Sequence, residues 1–203
     1  MSNQNWILII GVILLVPLWR VVICLSATLH MVIFARLANL EFDVKKFFIK
    51  CFTHSFPSIG VALVVDDRVQ SVKSYVTLGY RMSMEHRLAI SVKSRAKPGS
   101  RLKVTPNTSW FRKQKTYFGD SWDSNLIVQS TPRDFGRNLL MVEELRERLY
   151  NALRGDGFIP EYQSSLIISR TGTVTLNVKG MFWNPWRTKS LLELVDSIAK
   201  NAG

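Results

Sequence analysis

The side chains of this 203-residue chain that could do chemistry are three histidines, two cysteines and a few paired acids. His30 sits in an apolar run, His54 follows Cys51 by three positions, and His86 lies beside a turn signal. None has the spacing to another His or Cys that holds a metal ion. Cys51 and His54 could share one face of a helix, yet a nucleophile and base also need a third group to orient them, and the sequence offers none nearby. Asp66-Asp67 and Asp120-Ser-Trp-Asp123 are paired carboxylates whose ordinary use is in turns and caps. There is no glycine loop to cradle phosphate and no Gly-x-Ser-x-Gly elbow. The expectation is therefore no catalytic residue, no metal and no cofactor. A membrane-tethered enzyme is the second reading, and would have to gather His86, Asp120 or Asp123 around a substrate.

Charge is the stronger signal. The chain holds 27 Lys and Arg against 15 Asp and Glu, for a net charge of +12, which excludes an acidic solvating protein and implies anionic partners. The excess is local: between Arg68 and Lys115 stand twelve bases and one acid, Glu85, whereas residues Thr116 to Gly203 are neutral overall. If this third folds as a sheet with one face buried, alternation displays Lys73, Arg81, Arg87, Lys93, Arg95, Arg101 and Lys103 to solvent, with Arg112, Lys113 and Lys115 following in the next loop. These ten residues are the candidate anion-contacting surface, and each base near an anionic leaflet contributes about 1 kcal/mol of attraction. Anionic lipid headgroups or a protein partner are the expected targets. Nucleic acid is a weaker alternative. Tyr75, Tyr80, Trp110, Phe111, Tyr117 and Phe118 interleave with the bases as stacking platforms do, yet no helix-turn-helix, zinc finger or glycine-aromatic motif accompanies them.

What would hold such a surface in place begins at the N-terminus. From Trp6 to Ala35, Arg20 is the only charged side chain and His30 the only imidazole. A helix rises about 1.5 Å per residue and a bilayer core of about 30 Å needs roughly 20 residues, so the run exceeds one crossing. Cutting it at Arg20 leaves two pieces too short for two. The expectation is a single span over Trp6 to Ala27, continuing as an amphipathic stem towards Asn39. Arg20 is expected to snorkel to the interface, and Pro17 is tolerated inside a span. A cleaved signal sequence would need a basic start, which Met-Ser-Asn-Gln-Asn lacks. Because Arg36, Lys45, Lys46 and Lys50 all follow the run and no base precedes it, the remainder is expected on the cytoplasmic side. A free Cys51 agrees with a reducing compartment, Cys24 is expected in lipid, and an Asn107-Thr108-Ser109 acceptor pattern is then a chance match.

The lipid bilayer is thus the first expected partner, and the chain divides into an anchor and stem over 1–39, a juxtamembrane linker over 40–57 and a domain over 58–203. In the linker, the spacing of Phe48, Phe52 and Phe56 predicts a helical face packed on the core. Beyond Pro57, alternating Val, Ile, Thr and Tyr predict strands over Ile59–Val65, Val72–Tyr80, Arg87–Lys93, Arg101–Thr105 and Leu126–Ser130. Thr131 is expected to cap one amphipathic helix carrying Leu139, Val142, Leu145, Leu149 and Leu153, ended by Gly155 and Gly157. A hairpin follows, Leu166–Ser169 with Thr173–Lys179 about the turn Arg170-Thr171-Gly172. Thr188 is expected to cap a last helix with Leu191, Leu192, Val195, Ile198 and Ala199 inward. Trp183-Asn184-Pro185-Trp186 is expected to cover the end of the hairpin as core. The fold class is α+β: an N-terminal transmembrane helix, then an antiparallel sheet with two packed helices.

The run from Gly119-Asp120 through Trp122-Asp123, Leu126 and Val128, then Leu139-Leu140 and Leu145-Arg146-Glu147-Arg148-Leu149, resembles a pattern in uncharacterised bacterial membrane-anchored proteins. In that family glycine-aspartate precedes a Phe-Asp-x-x-Phe-x-Val strand, a Leu-Leu pair, a Leu-Arg-x-x-Leu helix, a hairpin and a terminal helix. Here Trp122 and Leu126 stand in place of the two phenylalanines, and the likeness covers about Thr116 to Ala202. It implies a bacterial, membrane-tethered domain without known catalysis, with Trp122, Leu126 and Val128 in the core and Asp123 in a turn.

Overall fold

A computed structural model of the chain describes residues 3–53, 58–65, 68–78, 84–94, 96, 99–107, 117, 125–155, 164–179 and 184–203. In chain order these form α1 (Asn3–Leu37), α2 (Val44–Thr53), β1 (Ser58–Val65), β2 (Arg68–Leu78), β3 (Met84–Lys93), β4 (Arg101–Pro106), β5 (Leu126–Thr131), α3 (Arg133–Leu139), α4 (Glu143–Arg154), β6 (Ser165–Ile168), β7 (Thr173–Lys179) and α5 (Pro185–Asn201). The strands make one antiparallel sheet in the order β1-β2-β3-β7-β6-β4-β5. This is the expected α+β class.

Register follows the period-2 alternation of apolar residues. One row runs straight across the sheet, Val72 opposite Ile90, Ile90 opposite Leu176, Leu176 opposite Leu166, Leu166 opposite Val104 and Val104 opposite Val128. Its first five members are fully buried, and Val128 packs partly buried against them. The helices lie over this face: α5 on β3 and β7, α4 on β4 and β7, α3 on β4 and β5, α2 on β1. Truncating a row member such as Leu176 to Ala would cost about 2–5 kcal/mol.

Three local departures from the sequence reading have simple causes. The helix expected from Pro132 to Leu153 is two helices, because Leu139 and Leu140 are both buried while Met141 and Val142 are exposed. One straight helix cannot carry 139, 142 and 145 inward and also bury 140. The chain therefore turns, and Glu143-Glu144 restart it with acids in the first turn, where the helix dipole favours them. Thr131 belongs to β5 and does not cap α3, and Thr188 does not cap α5. Asn184 caps α5, its Oδ1 accepting from the Arg187 amide at 3.0 Å, while the Thr188 hydroxyl donates back to the Asn184 carbonyl at 3.1 Å. Pro185 is buried at the first turn and Trp186 is 64% exposed, so this tryptophan covers no core.

At the start of β2 the buried face turns polar. Gln70 is buried and its Nε2 lies 3.5 Å from Asp196 of α5, whose Oδ1 also meets Arg68 at 2.8 Å. Lys200 reaches the other oxygen of Asp196 at 2.8 Å, so a carboxylate one turn from the end of α5 ties that helix to the sheet.

Among the described residues one helix, α1, is long and apolar enough to cross a membrane. Its second half is also part of the domain. Cys24, Thr28, Met31, Phe34 and Ala35 recur at helical spacing and are buried against α2 and α5, with His30 beside them. The buried Thr28 hydroxyl is satisfied by donating to the Cys24 carbonyl at 2.7 Å. Cys24, expected in lipid, is thus packed on protein, as is Cys51 of α2. The opposite stripe, Leu15, Leu18, Val22, Leu25 and Leu29, is exposed. Phe47 and Cys51 are buried on the inward face of α2 and Phe48 packs partly buried against the core as expected, whereas Phe52 is exposed and Phe56 lies outside the described residues. Because α2 folds back along α1, Phe52 comes level with Arg20, whose guanidinium lies 5.6 Å from the ring centroid. The cation is thus held over an aromatic face.

Candidate anion-binding face

The described helices stack on one face of the sheet, and none of them covers the other. Its middle row reads Ser71, Ser91, Thr175, Ile167, Lys103 and Gln129 by register, with the Ser91 and Thr175 hydroxyls hydrogen-bonded across strands at 3.0 Å. The bases occupy the same parity. Lys73 of β2, Lys93 of β3, and Arg101 and Lys103 of β4 are exposed there, as expected. Lys179 joins them from β7. Glu85 is the only acid in any described strand.

Arg87 is a correction. It stands on the same face but is only 3% exposed. β3 is an inner strand with β2 and β7 paired on either side, so a base there has a strand on each flank, which alternation alone does not foresee. Arg81, Arg95, Arg112, Lys113 and Lys115 lie outside the described residues, as do His54, Asp120, Asp123 and Trp183. Among the described residues no cluster of His, Cys, Asp or Glu could hold a metal ion.

At the β4–β5 end the face becomes concave. A cavity of about 760 Å³ is lined by Arg101 and Lys103, by Val128, Gln129 and Ser130 of β5, by Ile167 and Ser169, and by two bases that sequence reading missed, Arg133 and Arg170. The topology brings them together. β6 pairs with β4, so the β6–β7 turn that carries Arg170 stands beside the start of β4, and Arg133 opens α3 directly after β5. Their signal was hidden because each comes from the neutral C-terminal half.

Both late arrivals are rigidly placed. Gly172 has φ +77°, a conformation that favours glycine, and its carbonyl accepts from the Ser94 amide and hydroxyl, both at 2.7 Å. The Ser169 hydroxyl meets that of Thr171 at 2.8 Å and accepts from the Thr173 amide at 3.1 Å, which closes the turn. On the other wall, the Tyr117 hydroxyl donates to the Arg133 carbonyl at 2.7 Å, and the Arg133 guanidinium lies 5.7 Å from the Tyr117 ring centroid. Burial pushes the Tyr117 phenol above its ordinary pKa, the hydrogen bond to Ser130 pulling the other way, so it remains a neutral donor. Ser130 donates to the Pro132 carbonyl at 2.6 Å and accepts from the Gly136 amide at 2.9 Å, which locks α3 onto β5.

Chemically, this is an arrangement for holding negative charge. The cavity lining has four bases and hydroxyl groups, and among the described residues it has no carboxylate, imidazole or thiol. No protein-family model, curated protein or solved structure matches the chain.

Proposed function

We propose that the protein is a membrane-anchored binding module whose open sheet face receives an anionic partner. In this reading α1 from Asn3 to about Val22 spans the bilayer, 20 residues being roughly the 30 Å required. The domain then starts at Cys24, close to the lipid, and faces the cytoplasm because Arg36, Lys45 and Lys46 follow the span. One observation carries the proposal: five exposed bases share the face that no described helix covers. Anionic lipid headgroups are the favoured partner, since the anchor holds the face near a leaflet where each base contributes about 1 kcal/mol.

The test uses the full chain in nanodiscs of phosphatidylcholine, presented with vesicles of phosphatidylcholine alone or mixed with phosphatidylserine. Capture should require the anionic lipid and fall with added salt. Neutralising Lys73, Lys93, Arg101 and Lys103 to Gln should weaken capture by roughly 100-fold or more, the equivalent of about 3–4 kcal/mol. Equal capture by both vesicle types would remove the reading.

A further inference from the structure

The geometry points to a phosphate site in the cavity between β4, β5 and the β6–β7 turn, in which Arg101, Lys103 and Arg170 hold a ligand with two or more closely spaced negative charges. This rests on the reading of the open face as anion-binding and narrows it to one place and one ligand class.

Concavity separates this place from the rest of the face. The other exposed bases, Lys73, Lys93 and Lys179, stand about 12 Å or more apart by strand spacing and rise, too far to share one small group. Arg101 and Lys103 are alternate residues of β4, about 7 Å apart at their Cα atoms, and side chains of their length converge readily on one anion. A cavity of about 760 Å³ is within the range that encloses a small molecule.

The charge balance decides the ligand class. Four bases from three separate elements line one cavity, and no described carboxylate lines it with them. A single carboxylate ligand would answer one of the three that hold the ligand, Arg101, Lys103 and Arg170. A phosphomonoester or pyrophosphate carries at least two charges on adjacent oxygens, and its paired oxygens match the fork of a guanidinium, of which the lining has three. The Ser169 hydroxyl and the Gln129 amide add neutral polar groups at the rim, while Ile167 gives an apolar patch on which the organic part of a phosphate ester can rest.

The same chemistry reaches the cavity either as a free phosphate compound or as the phosphomonoester headgroup of a lipid. The experiment takes the full chain in phosphatidylcholine nanodiscs and titrates it with pyrophosphate by calorimetry, with phosphatidic acid vesicles as competitor. Saturable pyrophosphate binding is expected. The pair Arg101→Gln and Lys103→Gln should weaken it about tenfold or more, as loss of charge-assisted hydrogen bonds to phosphate does. The pair Lys73→Gln and Lys93→Gln removes the same charge from the same face and should change it by less than about twofold, a residual field effect. Competition by phosphatidic acid vesicles identifies a lipid headgroup as the source, and saturable binding without competition identifies a free ligand. The inference is overturned if neither probe binds saturably or if the two pairs weaken binding equally. Should phosphatidylserine vesicles still be captured in that case, the broader reading stands and only the cavity's role falls.

Discussion

Gly136 is where the cavity wall can be broken with one methyl group. A Cβ placed there would lie 2.6 Å from the Tyr117 hydroxyl oxygen, 2.7 Å from Leu102 Cδ1 and 2.8 Å from Ser130 Cβ. Ordinary carbon contacts sit at about 3.5–4.0 Å, so each neighbour must retreat by roughly 1 Å. Tyr117 can swing away, at the loss of its hydrogen bond to Arg133, worth about 0.5–1.5 kcal/mol. The Ser130 Cβ cannot, being fixed to the β5 backbone. Overpacking of this kind costs about 1–3 kcal/mol. Against it, Gly→Ala within a helix returns up to about 1 kcal/mol. Gly136→Ala should therefore destabilise the domain by about 1–3 kcal/mol, a melting temperature lower by roughly 3–10 °C for a domain of this size. Thermal denaturation of the full chain in detergent, followed by circular dichroism, reads this directly. Adding Tyr117→Phe removes the first clash and should recover part of the loss, a coupling that a double-mutant cycle isolates. A Gly136→Ala protein that melts at or above the parent temperature would refute the close seating of α3 on β5.

Two further substitutions probe how the layers are held. Phe34→Ala should cost about 3–5 kcal/mol if the second half of α1 is domain core, whereas Leu29→Ala on the exposed stripe should leave the melting temperature in detergent within about 1–2 °C of the parent. Asp196→Ala removes the acceptor shared by Arg68 and Lys200 and should destabilise by about 1–3 kcal/mol in the same melt, since Arg68 is largely buried at the start of β2.

Much of the fold was legible because strand alternation is local. The seven strands were readable from Val, Ile and Thr at every second position, and Arg170-Thr171-Gly172 marked its hairpin. The start of β2 was not, since Arg68 and Gln70 look solvent-facing until Asp196, more than a hundred residues later, turns out to be their partner. Lipid and protein interior select the same side chains, so composition could not tell that Cys24, Met31 and Phe34 pack on α2 and α5. Of the candidate site, Lys73, Lys93, Arg101 and Lys103 followed from alternation. Arg133 and Arg170 did not, because their convergence on β4 is created by the order β6-β4-β5, a property of topology that no local pattern encodes.

Lysine reactivity tests most directly whether the helix-free face is the one that meets negative charge. The full chain in phosphatidylcholine nanodiscs would be labelled with an amine-reactive ester, with and without vesicles containing phosphatidylserine, and the labelled positions read by mass spectrometry. Lys73, Lys93 and Lys103 should be protected by the anionic vesicles, while Lys189 and Lys200 on α5 keep their reactivity. Protection of the α5 lysines with Lys73, Lys93 and Lys103 still reactive would contradict the account.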